Sequence, residues 1–192
     1  FIDNALTNES KALFGQVTYS LTRADRVIVG ARSTRDHKAR VGGQQMLSGG
    51  VNYDPANPAN TVIPLSGDAT WKSSTYKLGY ERDLSPSQMF YASVSTGFKA
   101  GGFNDGDTSA HPELIYQPEK ITAYEMGLNG RFFDNTLQVT SSLFHYDYNQ
   151  MQKSGVVNSQ MLTTNTGNAK IDGMELSTRY RVSDAGKLSV SL

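Results

Sequence analysis

The 192-residue chain has no cysteine, so disulfide frameworks, thiolate zinc sites and cysteine nucleophiles are excluded at once. It also lacks a long hydrophobic run. The best apolar cluster, Val27-Ile28-Val29-Gly30-Ala31, is closed on both sides by Arg26 and Arg32, far short of the roughly 18 to 20 residues a membrane-crossing helix needs. An excess of one charge is missing too, since 18 basic side chains offset 18 acidic ones. That removes the electrostatic footprint of a nucleic-acid binder, and no nucleic-acid partner is expected. No Gly-x-Ser-x-Gly elbow occurs, which takes away the most visible handle of a hydrolase. The opening residues Phe1-Ile2-Asp3-Asn4 carry neither the charged nor the apolar region of a secretory signal, so an exported protein would need one upstream.

What is present is a period of two. Residues at i and i+2 share chemistry, which puts them on one face of a pleated strand. The pattern predicts eight strands, over 12–21, 26–35, 72–82, 88–99, 120–132, 136–149, 169–182 and 187–192, the last expected to be an unfinished stub. In 124–132, Tyr124, Met126, Leu128, Gly130 and Phe132 alternate with Glu125, Gly127, Asn129 and Arg131. In 173–182, Met174, Leu176, Thr178, Tyr180 and Val182 oppose Gly173, Glu175, Ser177, Arg179 and Arg181. The segments 74–81 and 90–99 repeat the split. With Arg32 added, the charges of these segments fall on the polar parity and none on the apolar one. A charge on a lipid-facing barrel position costs roughly 2–4 kcal/mol at the bilayer midplane, so a membrane would enforce this pattern. Arg35, which continues the apolar parity, is expected to lie above the hydrocarbon.

A soluble β-sandwich alternates in the same way, with the apolar face as its core. Connection lengths separate the two readings. Residues 22–25, 83–87, 133–135 and 183–186 are short and turn-like, whereas 36–71, 100–119 and 150–168 are long. Strict alternation of short and long connections is the rule of bacterial outer-membrane barrels, with tight periplasmic turns and longer extracellular loops. Aromatics at Tyr91, Phe132, Phe133, Phe144, Tyr146 and Tyr148 fall near strand ends, where interfacial girdles would be.

The words themselves carry a resemblance. Tyr91-Ala-Ser-Val-Ser-Thr-Gly-Phe-Lys-Ala-Gly-Gly-Phe-Asn104, then Pro118-Glu119 leading to Tyr124-Glu125-Met126-Gly127-Leu128, then Leu137 to Asp147-Tyr148, occur in the order seen in TonB-dependent receptor barrels. Ala12-Leu13-Phe14-Gly15-Gln16, Val29-Gly30-Ala31-Arg32 and Gly173-Met174-Glu175-Leu176 resemble further strings of that family. The resemblance implies an all-β fold: an antiparallel transmembrane β-barrel segment of about eight strands from a larger barrel of about 22. It implies that residues 1–192 are a partial barrel, with the plug domain and TonB box of such receptors absent from this sequence. It further implies a bacterial outer-membrane location, import of a scarce ligand (ferric siderophore, cobalamin or oligosaccharide) with energy from the TonB complex, and no enzyme activity. Outer-membrane lipid, the TonB complex acting through a plug, and a small-molecule ligand are the expected partners.

Residue parity supplies the site expectation. Arg32, Lys77, Tyr91, Lys99, Glu125, Arg131, Glu175 and Arg179 are predicted to face the lumen, where they would hold the plug or line the ligand path. Glu125 and Glu175 are expected to pair with Arg131 and Arg179 rather than to serve as a catalytic carboxylate pair. His37, His111 and His145 stand apart in sequence and read as surface histidines, so no metal site or cofactor is predicted. Gly97 to Gly102 lacks the Gly-Lys-Ser/Thr ending of a phosphate-binding loop, and Asp105-Gly106-Asp107 lacks the later acidic ligand of a calcium loop. Two alternatives remain open at this level: a passive porin or small barrel closed by these strands alone, and a soluble carbohydrate-binding β-sandwich.

Overall fold

Strands of alternating chemistry keep one apolar and one polar face only if each neighbour pairs in phase. In the computed structural model, described over residues 2–46, 61–157, 160–183 and 186–191, they do so across a single antiparallel sheet. Its members are β1 (Ile2–Ser20), β2 (Asp25–Met46), β3 (Thr61–Ser85), β4 (Gln88–Lys99), β7 (Glu119–Phe132), β8 (Leu137–Asn149), β11 (Ala169–Ser183) and β12 (Gly186–Ser191). Spatial order follows chain order throughout. Two small hairpins fill long connections: β5 (Gly102–Phe103) with β6 (Ile115–Tyr116), and β9 (Gln152–Val157) with β10 (Gln160–Asn165).

Directly opposed residues share a face, so the register can be read as rows. One row runs Val17, Val29, Leu78, Val94, Tyr124. The adjacent polar row runs Gln16, Gly30, Lys77, Ser95, Ala123. Among the described residues, no second sheet packs on the apolar rows. Leu13, Val29, Leu78, Met126, Leu143 and Met174 are all exposed, at 51% or more. A sandwich would bury them, so that alternative fails. The eight strands also form an open sheet: among the described residues, β1 and β12 each pair on one side only. The small closed barrel fails with it.

The apolar stretch has defined borders on the outer face. The opposed pair Asp25 and Arg82 marks the short-turn edge, and the opposed pair Arg35 and Lys72 marks the long-connection edge. About ten residues separate the pairs along each strand, which at ~3.3 Å per residue and a tilt of ~40° spans roughly 25 Å, the height of an outer-membrane apolar band. Arg35 therefore sits where its parity required.

The first three strands continue well past that border. The predicted 36–71 connection is in large part strand, since β2 runs on to Met46 and β3 begins at Thr61. Its Asp54-Pro55 and Asn57-Pro58 turn signals lie outside the described residues. Here both faces carry charge, with Asp36, Lys38 and Arg40 on one and Arg35 and His37 on the other. The buried core sits at this end, where Leu65 and Trp71 are the buried hydrophobic residues among those described. Connection 100–118, with a 3-10 turn at Pro112–Leu114, folds over them.

At the other edge, Phe133, Asp134 and Asn135 turn the chain with φ of 52°, 53° and 65°. Asp and Asn tolerate this left-handed region, whereas Phe133 is strained there.

Candidate functional site on the inner face

All eight sequence-predicted site residues fall on the polar, inner face. Arg32 lies on β2, Lys77 on β3, Tyr91 and Lys99 on β4, Glu125 and Arg131 on β7, and Glu175 and Arg179 on β11, each in the parity that the register carries from strand to strand. They do not form one cluster. Arg32 is local: its Nε donates to Thr34 Oγ1 at 3.0 Å and its guanidinium lies 5.6 Å from the Phe14 ring centroid. Lys99 stands at the loop edge opposite Glu119, and Lys77 lies between Gly30 and Ser95.

Tyr91 and Glu125 are brought together. The Tyr91 hydroxyl donates to Glu125 Oε1 at 2.6 Å, and its ring lies across Gly127, the residue opposite it. A Cβ at Gly127 would stand 2.7 Å from that ring, so the glycine is what lets the tyrosine lie flat and reach the carboxylate. Glu175 lies in the row of Tyr91 and Gly127, one row from Glu125, opposite Ser142, which is itself opposite Gly127.

The expected pairing of Glu125 and Glu175 with Arg131 and Arg179 is not found. Among the described residues, neither arginine has a carboxylate within 4.0 Å. The register gives the reason. Arg131, Gln138 and Arg179 form one row near the short turns, and six residues of strand separate Arg131 from Glu125, roughly 20 Å at ~3.3 Å per residue. Two carboxylates at mid-height and two guanidinium groups near the turn edge are thus left facing the inner space. By contrast, Arg26 is fully partnered, 3.1 Å from Glu81 and 2.7 Å from Asp83.

Each histidine has one carboxylate beside it: His37 with Asp68 at 3.3 Å, His111 with Glu113 at 3.0 Å and His145 with Asp172 at 2.6 Å. No cluster of three metal-ligating side chains occurs among the described residues. A concavity of about 600 Å³ lined by Leu78, Val94, Tyr124, Met126 and Leu143 opens on the outer, apolar face. Lipid chains suit that lining better than a polar ligand does.

Sequence reasoning missed the shelf at the long-connection edge. Lys38 Nζ donates to the Gly101 carbonyl at 2.7 Å and lies 5.8 Å from the Trp71 ring centroid. Arg40, almost fully buried, holds Asp105 at 2.9 Å and the Asn104 carbonyl. Phe103 packs on Trp71 with centroids 5.9 Å apart. Gly101 is required because a Cβ there would stand 2.6 Å from the Trp71 ring. Asn104 pairs with Thr163 through two hydrogen bonds of 2.8 and 2.6 Å, and Gln152 Nε2 donates to the carbonyls of Ala100 and Gln117. The second hairpin is thereby fastened to the first. The alternation of Asp36, Lys38 and Arg40 with His37, Ala39 and Val41 was the available signal.

Asp107 closes the shelf. It accepts from the hydroxyls of Ser66 and Ser109 and from the Ser109 N–H, and these donors, Ser66 first, hold its carboxyl down at about 2. A depressed carboxylate pKa contributes stability that is present above its unfolded value near 3.9 and is lost as pH falls through about 2. Pepsin cleavage within 104–111 of the full-length protein in detergent should therefore rise between pH ~4 and ~2. Asp107→Asn should remove that pH dependence, and a wild-type profile flat across the window would contradict it.

The chain matches the family described as TonB dependent receptor-like, beta-barrel over residues 1–192. It belongs to that family of outer-membrane β-barrel receptors, and it is a partial barrel. A curated relative, described as "Probable TonB-dependent siderophore receptor PiuA" of Acinetobacter baumannii, is 23% identical over 155 residues, covering 75% of this chain and 20% of the relative. Among solved structures, the ferric yersiniabactin uptake receptor FyuA of Yersinia pestis aligns with a TM-score of 0.76 at 18% identity, covering 98% of this chain and 26% of that one. The haemophore receptor HasR of Serratia marcescens, solved with its haemophore and heme, aligns at 0.66 and 17% identity, covering 91% and 32%. At such identities these structures establish the fold, and the chain spans about a fifth of the curated relative's length.

Proposed function

We propose that this chain is wall and loop structure of a receptor that imports a scarce ligand of the ferric siderophore, cobalamin or oligosaccharide class, driven by the TonB complex through a plug domain and TonB box lying outside residues 1–192. The observation that carries the reading is the uncompensated charge on the inner face. Glu125, Glu175, Arg131 and Arg179 have no opposite charge within 4.0 Å among the described residues, and ionised groups facing a confined space call for partners. A plug with basic side chains at mid-height and acidic ones near the turn edge would supply them. Tyr91 then holds Glu125 toward the plug, Arg32, Lys77 and Lys99 line the path above it, and the shelf around Trp71 and Arg40 presents capture surface. The siderophore receptor named above supports the ligand class, while the heme-bound HasR structure leaves the particular ligand open.

The test is uptake. A strain lacking the full-length receptor should lose growth on its ferric siderophore as sole iron source, and loss of TonB should reproduce the defect. Growth independent of both would reject import. Within the receptor, Arg131→Ala with Arg179→Ala should loosen the plug, read as increased protease access to it and reduced uptake. Plug retention and uptake both unchanged would reject the role assigned to these arginines.

A further inference from the structure

Connection 100–118 and the β9–β10 hairpin share no ladder, yet side-chain amides pair them in both directions. Asn104 reaches from the connection to the hairpin, where its Nδ2 donates to the Thr163 carbonyl at 2.8 Å and its Oδ1 accepts from the Thr163 N–H at 2.6 Å. Asn165 reaches back. Its Nδ2 donates to the Gln117 carbonyl at 2.9 Å and its Oδ1 accepts from the Gln117 N–H at 2.7 Å. A side-chain amide carries a donor and an acceptor side by side, as a peptide group does, so it pairs with both backbone groups of one residue. Aspartate lacks the donor, and alanine lacks both. Asn104 is 8% exposed, so an unpaired amide there would have little water to turn to.

The two ends of this assembly meet the wall differently. At one end Phe103 lies over Gly67, where a Cβ would stand 2.7 Å from the ring, and Arg40 holds Asp105, so the connection rests on the inner face of β2 and β3. At the other end the hairpin leaves β8 through Gln150, with φ of 53°, and returns to β11 through Gly167, with φ of 104°. Both are left-handed, which interrupts the strand geometry on each side of the hairpin's base. A Cβ at Gly167 would meet nothing within 4 Å, so the glycine supplies backbone shape and not room. From β2 to β11 the assembly spans six neighbouring strands, about 24 Å at ~4.8 Å per strand.

We propose that connection 100–118 and the β9–β10 hairpin form one strap along the inner side of the long-connection edge, latched by Asn104 and Asn165 and hinged at Gln150 and Gly167. Lifting Phe103 from Trp71 then carries the hairpin with the connection, and the strap has two positions instead of two independently moving loops. The strap rests on the fold, not on import, and it can fail while uptake stands.

Nitroxide pairs in the full-length receptor in detergent, read by double electron–electron resonance, test this. One pair joins Gly155→Cys, where a Cβ meets nothing within 4 Å, to Ser141→Cys on β8 and reports the hairpin against the wall. The other joins Gly155→Cys to Ala110→Cys, an exposed position of the connection. Trp71→Ala, which acts at the shelf end, should broaden the hairpin-to-wall distance distribution by about twofold or more and leave the hairpin-to-connection distribution as narrow as in wild type. Asn104→Ala/Asn165→Ala should reverse the result: the hairpin-to-connection distribution broadens, and adding Trp71→Ala no longer changes the hairpin-to-wall one. Asn104→Asp/Asn165→Asp, equal in size but without the donors, should behave as the alanine pair does. Heat-modifiable migration checks that each variant folds. A hairpin-to-wall distribution indifferent to Trp71→Ala would overturn the strap, because the hairpin would then move alone. So would a hairpin-to-connection distribution that stays narrow in the alanine or the aspartate pair, since contacts other than the amides would be holding the two segments.

Discussion

Leu78→Arg in the full-length receptor should lower folding stability in lipid by about 2–4 kcal/mol, and Met126→Arg should do the same. Leu78 stands between Val29 and Val94 on the outer face and is 57% exposed, so water or lipid, not protein, is its neighbour. In water an arginine there would be harmless, since substitutions at exposed positions usually change stability by less than ~0.5 kcal/mol. The size of the loss therefore identifies the solvent. Ser93→Lys is the matched control: one row away, on the inner face, it sits opposite Glu125 and should be tolerated. Urea titration of receptor folded into phosphatidylcholine vesicles measures all three. Equal tolerance of charge at Leu78 and Ser93 would remove the lipid from the outer face.

The same physics decides what could be read from sequence. Most strand ends at the short turns were legible, because alternation stops near Asp25 and Phe132 and β4 runs from Gln88 to Lys99 as its pattern indicated, whereas β3 runs to Ser85, three residues past the expected 82. At the other edge the signal faded while the strands went on. Beyond Arg35 no lipid demands an apolar face, so charged residues enter both parities and the alternation that marks the band weakens to Asp36, Lys38 and Arg40 against Ala39 and Val41 while β2 continues to Met46. Hydrogen bonding to β1 and β3 holds it extended.

Face assignment and contact are different orders of information. Parity alone put Glu125, Glu175, Arg131 and Arg179 on one face, which the register reproduces. Their pairing depended on position along the strands, and the register puts the two kinds of charge at different heights. The shelf was less legible still. Trp71 is buried by Phe103 and Gly101, about thirty residues further along the chain, and Asn104 meets Thr163 across a longer gap. Contacts of this kind join segments that have no shared period, so only the fold brings them together.

Trp71→Ala should release that shelf. The indole is 7% exposed, packed at a tilt against Phe103, roofed by Gly101 and approached by the Lys38 ammonium, and truncating a buried tryptophan costs roughly 3–5 kcal/mol. The loss should be local. Trp71 lies beyond the border at Lys72, and the hydrogen-bonded ladder of β3 with β4 begins only at Lys77, so the apolar band keeps all its contacts. Connection 100–118 has no extended ladder of its own, and its remaining anchors are separate polar contacts, among them Arg40 with Asp105, Ser66 with Asp107 and Asn104 with Thr163, each of which contributes modestly. In detergent-solubilised receptor at neutral pH, trypsin or chymotrypsin should cleave within 100–118 many times faster in Trp71→Ala than in wild type, while heat-modifiable migration of the barrel stays unchanged. Trp71→Phe, which keeps an apolar ring over Gly101, should recover most of the protection. If cleavage in Trp71→Ala matched wild type, polar anchors and not the aromatic core would be holding the shelf. If the whole barrel lost its heat-modifiable form, the shelf and the membrane band would be one cooperative unit, contrary to the separation that the register implies.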